Sequence, residues 1–137
     1  MQRTFYKKEK PGKKPEPKPK QFIDKSGNKI WKLNSKLHRV GKPAKEYLNG
    51  STEWWLNGKR HREDGPAVNN SERTEWWLNG KRHREDGPAI ILKHNDDNHY
   101  RIEYWYINGY PYCKDDFYRE LYSRGKITKE ELFIYLI

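Results

Sequence analysis

TEWWLNGKRHREDGPA occupies residues 52–67, and the same sixteen letters return unchanged at residues 74–89. Identity over a whole block at an offset of 22 residues marks the chain as a product of internal repetition. Such a period predicts units that each form one supersecondary element and bury apolar surface only against their neighbours. Within the block the decisive pair is Asn57-Gly58. A two-residue type I′ turn needs positive φ at both central positions, which Asn and Gly tolerate best, so the block predicts a β-hairpin. The turn then sets the register: Leu56 opposite Lys59, Trp55 opposite Arg60, Trp54 opposite His61 and Glu53 opposite Arg62.

Alternation along a strand sorts these residues onto two faces. Trp54, Leu56 and His61 share one face with Trp31, Leu33, Trp76, Leu78, Trp105 and Ile107 of the other units. Each unit supplies an aromatic and an aliphatic there, so this is the expected core face. The other face carries Trp55 beside Arg60 and Trp77 beside Arg82, with Glu53 beside Arg62 and Glu75 beside Arg84. Its register-mates are Lys32 in the first unit and Tyr106 in the last, and a face that accepts lysine is expected to meet solvent. Trp55, Arg60, Arg62, Trp77, Arg82, Arg84 and Tyr106 are therefore the candidate binding face. Exposed Trp–Arg stacks contribute about 0.5–1 kcal/mol each, so the ladder serves either to stabilise a sheet face or to recognise a partner.

Outward from the two full copies the pattern degrades. Residues 30–44 keep Trp31, Leu33, Asn34 and His38-Arg39 but put Ser35 in the place of the turn glycine. Residues 103–113 keep Trp105, Ile107 and Asn108-Gly109 and replace His-Arg with Tyr112-Cys113. Between Ala89 and this last unit, Ile90 to Leu92 lead through Asn95-Asp96-Asp97-Asn98 to Tyr100 and Ile102, a longer hairpin with turn chemistry at its tip. Residues 114–137 change character. Asp115 or Asp116 can cap a short helix that ends at Gly125, and Thr128 with Glu131 forms a capping box for a second. Phe117, Tyr118, Leu121, Leu132 and Phe133 need cover, which the last hairpin or the sheet face can supply. The expected organisation is a Pro/Lys-rich arm over 1–23, a mainly β hairpin array over 24–113 and a helical cap over 114–137. The fold class is an antiparallel meander forming an elongated sheet.

Composition bounds what such a chain can do. At 137 residues it has the length of one domain, and its 20 aromatic side chains are its main apolar stock, so most are expected inside. The net charge is +10, unevenly placed. Residues 1–20 hold eight basic residues (Arg3, Lys7, Lys8, Lys10, Lys13, Lys14, Lys18 and Lys20) against Glu9 and Glu16, while the repeats nearly neutralise themselves. Pro11, Pro15, Pro17 and Pro19 favour an extended, unfolded arm. Lys7, Lys8, Lys10, Lys13, Lys14, Lys18 and Lys20 are candidate contacts to an anionic partner, whether nucleic acid, acidic protein or membrane headgroups; a merely solubilising tail is the alternative. A single cysteine, Cys113, excludes an intramolecular disulfide and any two-cysteine metal motif. The chain has no apolar signal core and no run of about 18 apolar residues, so an intracellular protein without a membrane span is expected. The basic, acid-free opening MQRTFYKK admits an organellar presequence, against which the following prolines stand.

The block W-x-x-N-G-K-R-H-x-x-x-G resembles the MORN repeat, a β-hairpin unit with an aromatic strand, an N-G turn and spaced glycines. It is more similar still to divergent MORN-type units of phage, giant-virus and bacterial proteins that read W-W/Y-x-N-G-K-x-H-R-x-D-G-P-A. The resemblance spans about residues 30–112 and implies an elongated antiparallel sheet with a scaffolding or binding role. Arg62 and Arg84 stand where the standard repeat has glycine, and Pro66 and Pro88 have no counterpart in it.

The expectation is thus a non-catalytic module that engages a protein partner while its arm meets an anionic surface. Nucleic-acid binding is the second reading, with the arm on phosphates and Trp55, Trp77 and Tyr106 stacking on unpaired bases. Carbohydrate binding by aromatic hairpins is a third, without the G-W opening and secretion signal usual there. His61, Glu63 and Asp64 have the composition of a metal or acid–base site, but they recur as His83, Glu85 and Asp86. Neither trio pairs a nucleophile with a base, so no catalytic residue, metal ligand or cofactor is assigned.

Overall fold

The computed structural model describes residues 17–93 and 101–137. The Asn-Gly pairs take the backbone the type I′ turn demands: φ is 49° at Asn57 and 78° at Gly58, 49° at Asn79 and 79° at Gly80, 50° at Asn108 and 86° at Gly109. Ser35 follows its glycine counterparts into the left-handed region, at φ 63°. The chain forms β1 (Lys20–Ile23), β2 (Lys29–Leu33), β3 (Lys36–Leu37), β4 (Lys45–Glu46), β5 (Thr52–Glu53), β6 (Trp55–Leu56) and β7 (Lys59–Arg60). It continues through β8 (Val68–Asn69), β9 (Arg73–Glu75), β10 (Trp77–Leu78), β11 (Lys81–Arg82), β12 (Ile90–Lys93), β13 (Arg101–Ile107) and β14 (Tyr110–Tyr112) to helices α1 (Lys114–Ser123) and α2 (Lys129–Leu136). The fold is mainly β, an open antiparallel sheet followed by two short helices.

Each full copy is split into a stem and a tip. The tips are the hairpins β6–β7 and β10–β11, in which Trp55 opposes Arg60 and Trp77 opposes Arg82, as the turn requires. The stems run side by side in the order β1-β2-β4-β5-β8-β9-β12-β13-β14. Between tip and stem, D-G-P-A returns the chain to the sheet: Ala67 accepts from Trp54 N–H at 2.7 Å and donates its own N–H to Glu75 O at 2.8 Å. Ala44, Ala67 and Ala89, the residues at this junction, are fully buried. Their small side chains let the strands pass close beneath the tryptophans.

Successive tips are joined by the same pair of backbone bonds. Arg39, Arg62 and Arg84 donate to the carbonyls of Trp55, Trp77 and Tyr106, and Gly58, Gly80 and Gly109 donate to Leu37, Arg60 and Arg82. β12 pairs with β13 from Ile90↔Tyr104 to Lys93↔Arg101, which gives the longer hairpin its stem; its turn at residues 95–98 lies outside the described residues. Lys20–Ile23, assigned above to the arm, is instead edge strand β1, paired with β2 from Lys20↔Lys32 to Ile23↔Lys29. Lys7, Lys8, Lys10, Lys13 and Lys14 lie outside the described residues.

The helices gather the one large apolar cluster of the described residues. Phe117 packs on Trp105 with ring centroids 4.8 Å apart, Tyr118 lies 5.5 Å from the same indole, and Ile107 and Leu121 complete the buried group. The α1 N-cap is Cys113, not Asp115 or Asp116. Both aspartates fall in the first turn, where carboxylates meet the positive end of the helix dipole without capping it. Gly125, at φ 67°, ends α1 with bonds from Gly125 and Lys126 N–H to Tyr122 and Leu121 O. Thr128 and Glu131 form the reciprocal capping box of α2. The expectation that most aromatics are core fails in the middle of the array, where Trp54, Trp55, Trp76 and Trp77 remain half-buried because a single layer of two-residue strands has nothing stacked on it. No helix among the described residues is long and apolar enough to cross a membrane.

Candidate binding face

Cross-strand partners project to the same side of a sheet, so the register assigns the faces. One stem row runs Phe22, Ile30, Lys45, Glu53, Val68, Glu75, Ile90, Tyr104. Above it, at the tips, Trp55, Arg60, Trp77, Arg82 and Tyr106 interleave on the same side. Lys45 Nζ lies 5.9 Å from the Trp55 ring, and the Arg60 guanidinium lies 5.1 Å from Trp55 and 5.4 Å from Trp77. Arg82 in turn lies 5.0 Å from Trp77 and 5.5 Å from Tyr106. Five of the seven residues assigned to the face by sequence therefore form one unbroken ladder, with each arginine bridging two rings from neighbouring units.

Arg62 and Arg84 do not belong to it. Their guanidiniums sit on the opposite side, 3.9 Å from the Trp54 ring and 3.8 Å from the Trp76 ring, as Arg39 sits 3.6 Å from Trp31. The expected Glu53–Arg62 and Glu75–Arg84 pairs are thus absent, because Glu53 pairs with Lys45 and Val68 in the stem while the chain leaves the hairpin after Arg60. Freed from the strand, Arg62 folds back over Trp54. It donates from Nε to Asp64 at 2.8 Å and from a terminal nitrogen to Pro66 O at 3.2 Å, and Arg84 repeats both bonds with Asp86 and Pro88. A Cβ at Gly65 would lie 2.9 Å from Arg62 Cζ, so the glycine of R-x-D-G-P makes room for the guanidinium. In the last unit the position over Trp105 is taken by Phe117 and Tyr118 instead.

The carboxylates of the ladder face lie beneath it. Glu53 accepts from Tyr47 Oη at 2.8 Å and Trp55 Nε1 at 2.9 Å, and Glu75 accepts from Trp77 Nε1 at 2.8 Å and pairs with Arg73 at 2.7 Å. Burial alone would raise the Glu53 pKa, but the Tyr47 hydrogen bond, Lys45, Trp55 and Arg60 together hold it below the usual glutamate value; burial and Glu53 push the Tyr47 hydroxyl up to about 12. The Glu75 side chain is 2% exposed, whereas Arg60 and Arg82 are 27% and 38% exposed. Lys20 and Lys32 are exposed on this side as well. Strand positions on the ladder face thus present cations and cover their acids, while Lys36, Lys59 and Lys81 are exposed on the opposite face of the tips. The Nε atoms of Arg60 and Arg82 are buried with no hydrogen-bond acceptor among the described residues.

The histidines have a role that sequence did not reveal. Nδ1 of His38, His61 and His83 accepts the backbone N–H of Asn57, Asn79 and Asn108, the turn residue of the next unit, at 3.0, 3.1 and 3.1 Å. Each histidine therefore pins one tip to the next. His61 Nε2 is 3.5 Å from Glu63 while Asp64 is held by Arg62, which lowers the Asp64 pKa, so the trio does not converge on one point. Lys18 and Lys20 lie exposed at the N-terminal edge of the sheet. Glu53 and Glu75 lie on the face as their alternation predicted, whereas Lys45 and Arg73 were missed as members of it; the signal available for Lys45 was the two-residue stem, which puts the residue after each junction alanine on the ladder side. Compared with known protein families, curated proteins and solved structures, the chain has no match.

Proposed function

We propose that the chain is a non-catalytic binding module of MORN-like hairpin repeats, which engages a protein partner on the ladder face while its basic arm contacts an anionic surface. The observation that carries this reading is the ladder. Arginines are held between aromatic rings of neighbouring units at a fixed repeat, and their side chains remain 27% and 38% exposed at Arg60 and Arg82. Preorganised arginine and aromatic edges on rigid strands supply complementarity with little ordering cost on binding. The opposite side of the middle units is occupied by the chain's own Arg62 and Arg84, which leaves the ladder as the open repeated surface. Affinity capture from a native extract treated with nuclease tests the reading. A specific protein is retained by the wild-type chain and lost from Arg60→Gln/Arg82→Gln of unchanged melting temperature. Equal capture by the two refutes a role for the ladder.

A further inference from the structure

We infer that the anionic surface met at the N-terminal end is single-stranded nucleic acid, held in the cleft formed by Lys20, Phe22, Lys32, Asn34 and Ser35. The inference rests on the reading above only in naming what the arm contacts. Its basis is a change of chemistry in the first unit. Where the full copies place Glu53, Trp55 and Arg60 on the ladder face, the first unit places Ile30, Lys32 and Leu37. The buried carboxylate becomes an isoleucine, and the guanidinium that would cover a ring becomes a leucine. What remains is positive charge for which the described residues supply no ion-pair partner at Lys20 or Lys32.

Strand β1 adds the other half of the site. It sets Lys20 opposite Lys32 and Phe22 opposite Ile30, so both lysines and the ring share one side. Phe22 is 49% exposed, and the one cation over it among the described residues, Lys32 Nζ, is 5.9 Å from its centroid. Trp55 and Trp77 differ, since each is flanked by two cationic groups and offers only edges to a partner. Phe22 is thus a ring with a side open for a base that also stands beside two exposed lysines, as Tyr104, the other exposed ring of the stem row, does not. The five residues line a cleft of about 440 Å³ that contains no acid, and Asn34 and Ser35 at its rim supply amide and hydroxyl groups. The arm joins the sheet here, at exposed Lys18 and Lys20, which extend the track for a phosphodiester chain. An open aromatic face beside a basic, acid-free cleft fits a ligand with both planar bases and phosphates. An acidic peptide supplies only the charge. Recognition by stacking and phosphate contact is tolerant of sequence and weakens with salt.

Fluorescence anisotropy of the full chain with labelled oligo(U) and oligo(dT) tests this, with a poly-Glu peptide and phosphatidylserine vesicles as the competing anions. Both oligonucleotides are expected to bind more tightly than the peptide or the vesicles. Lys20→Gln/Lys32→Gln is expected to weaken them at least tenfold and to flatten the salt dependence. Phe22→Ala is expected to weaken them about tenfold with little change in salt slope, and Phe22→Trp to restore binding. Far-UV circular dichroism and melting confirm that β1 stays paired in each variant. Equal affinity for poly-Glu or vesicles, or oligonucleotide binding indifferent to both Phe22→Ala and Lys20→Gln/Lys32→Gln in folded protein, overturns the inference. Nuclease-resistant capture of a protein through Arg60 and Arg82 is scored separately, so either reading can fail while the other stands.

Discussion

Replacing Gly65 with alanine should change sign as a stability effect according to whether Arg62 is present. Gly65 does not have positive φ, so its backbone admits an alanine. In isolation the substitution stabilises by about 0.4–1 kcal/mol through the unfolded chain. In the folded protein the new methyl lies 2.9 Å from Arg62 Cζ and 3.1 Å from Nε, and the guanidinium must move. Leaving Trp54 forfeits a cation–π contact of about 0.5–1 kcal/mol. Loosening the part-buried bond to Pro66 O removes about 1 kcal/mol more. Gly65→Ala is therefore expected to destabilise the wild type by about 1 kcal/mol and to stabilise Arg62→Ala by about 0.5 kcal/mol, a coupling of roughly 1.5 kcal/mol. Urea denaturation of the four proteins of the cycle measures it. An equal cost of Gly65→Ala in both backgrounds would place the clash on backbone and refute the account of why R-x-D-G-P carries both an arginine and a glycine.

Four further outcomes follow from the geometry. His61→Ala/His83→Ala removes the acceptors for Asn79 and Asn108 and should cost about 1–2 kcal/mol in urea denaturation; unchanged stability would mean the pins carry nothing. Ser35→Gly relieves a side chain held at φ 63° and should stabilise by about 1 kcal/mol, with no gain counting against strain at that turn. Phe117→Ala empties the fully buried centre of the C-terminal cluster and should cost about 3–5 kcal/mol, with loss of near-ultraviolet signal from Trp105. The folded pKa of Glu53 lies below its ordinary value of 4.5, so the native state binds fewer protons there than the unfolded chain. Its contribution is complete above pH 4.5 and is lost as pH falls through the depressed value. Melting temperatures from pH 6 down to about pH 3 should therefore fall more steeply for the wild type than for Glu53→Gln, and parallel slopes would remove Glu53 as a contributor.

Local rules carried the sequence reading wherever one short stretch decided the geometry. Asn57-Gly58 determines the pairs Trp55↔Arg60 and Leu56↔Lys59, and Thr128 with Glu131 determines the start of α2. Alternation extended past the strand's end is what misplaced Arg62: the rule holds for residues that pair, and pairing in the tip stops at Arg60. Gly65-Pro66 already marked that departure. The histidine pins were not legible, because an acceptor for a backbone N–H in the next unit leaves no compositional trace. Nor was the charge of the ladder face, since a sum along the chain treats Glu53 and Glu75 as equal to Asp64, although the first two are covered by rings and the last is in water. The aromatic count misled in the same way, as it assumed a second layer that only the last unit possesses.

The joints between units have a consequence for how such a chain changes length. Arg62 N–H to Trp77, Gly80 N–H to Arg60 and Asn79 N–H to His61 recreate, atom for atom, the set that links the first unit to the second. A duplicated 22-residue segment inserted at residue 74 would meet at both ends a surface it already fits, while the helices over Trp105 go on closing the far end. Gain or loss of a whole copy therefore preserves every joint between units, and the number of copies sets the number of rungs in the ladder.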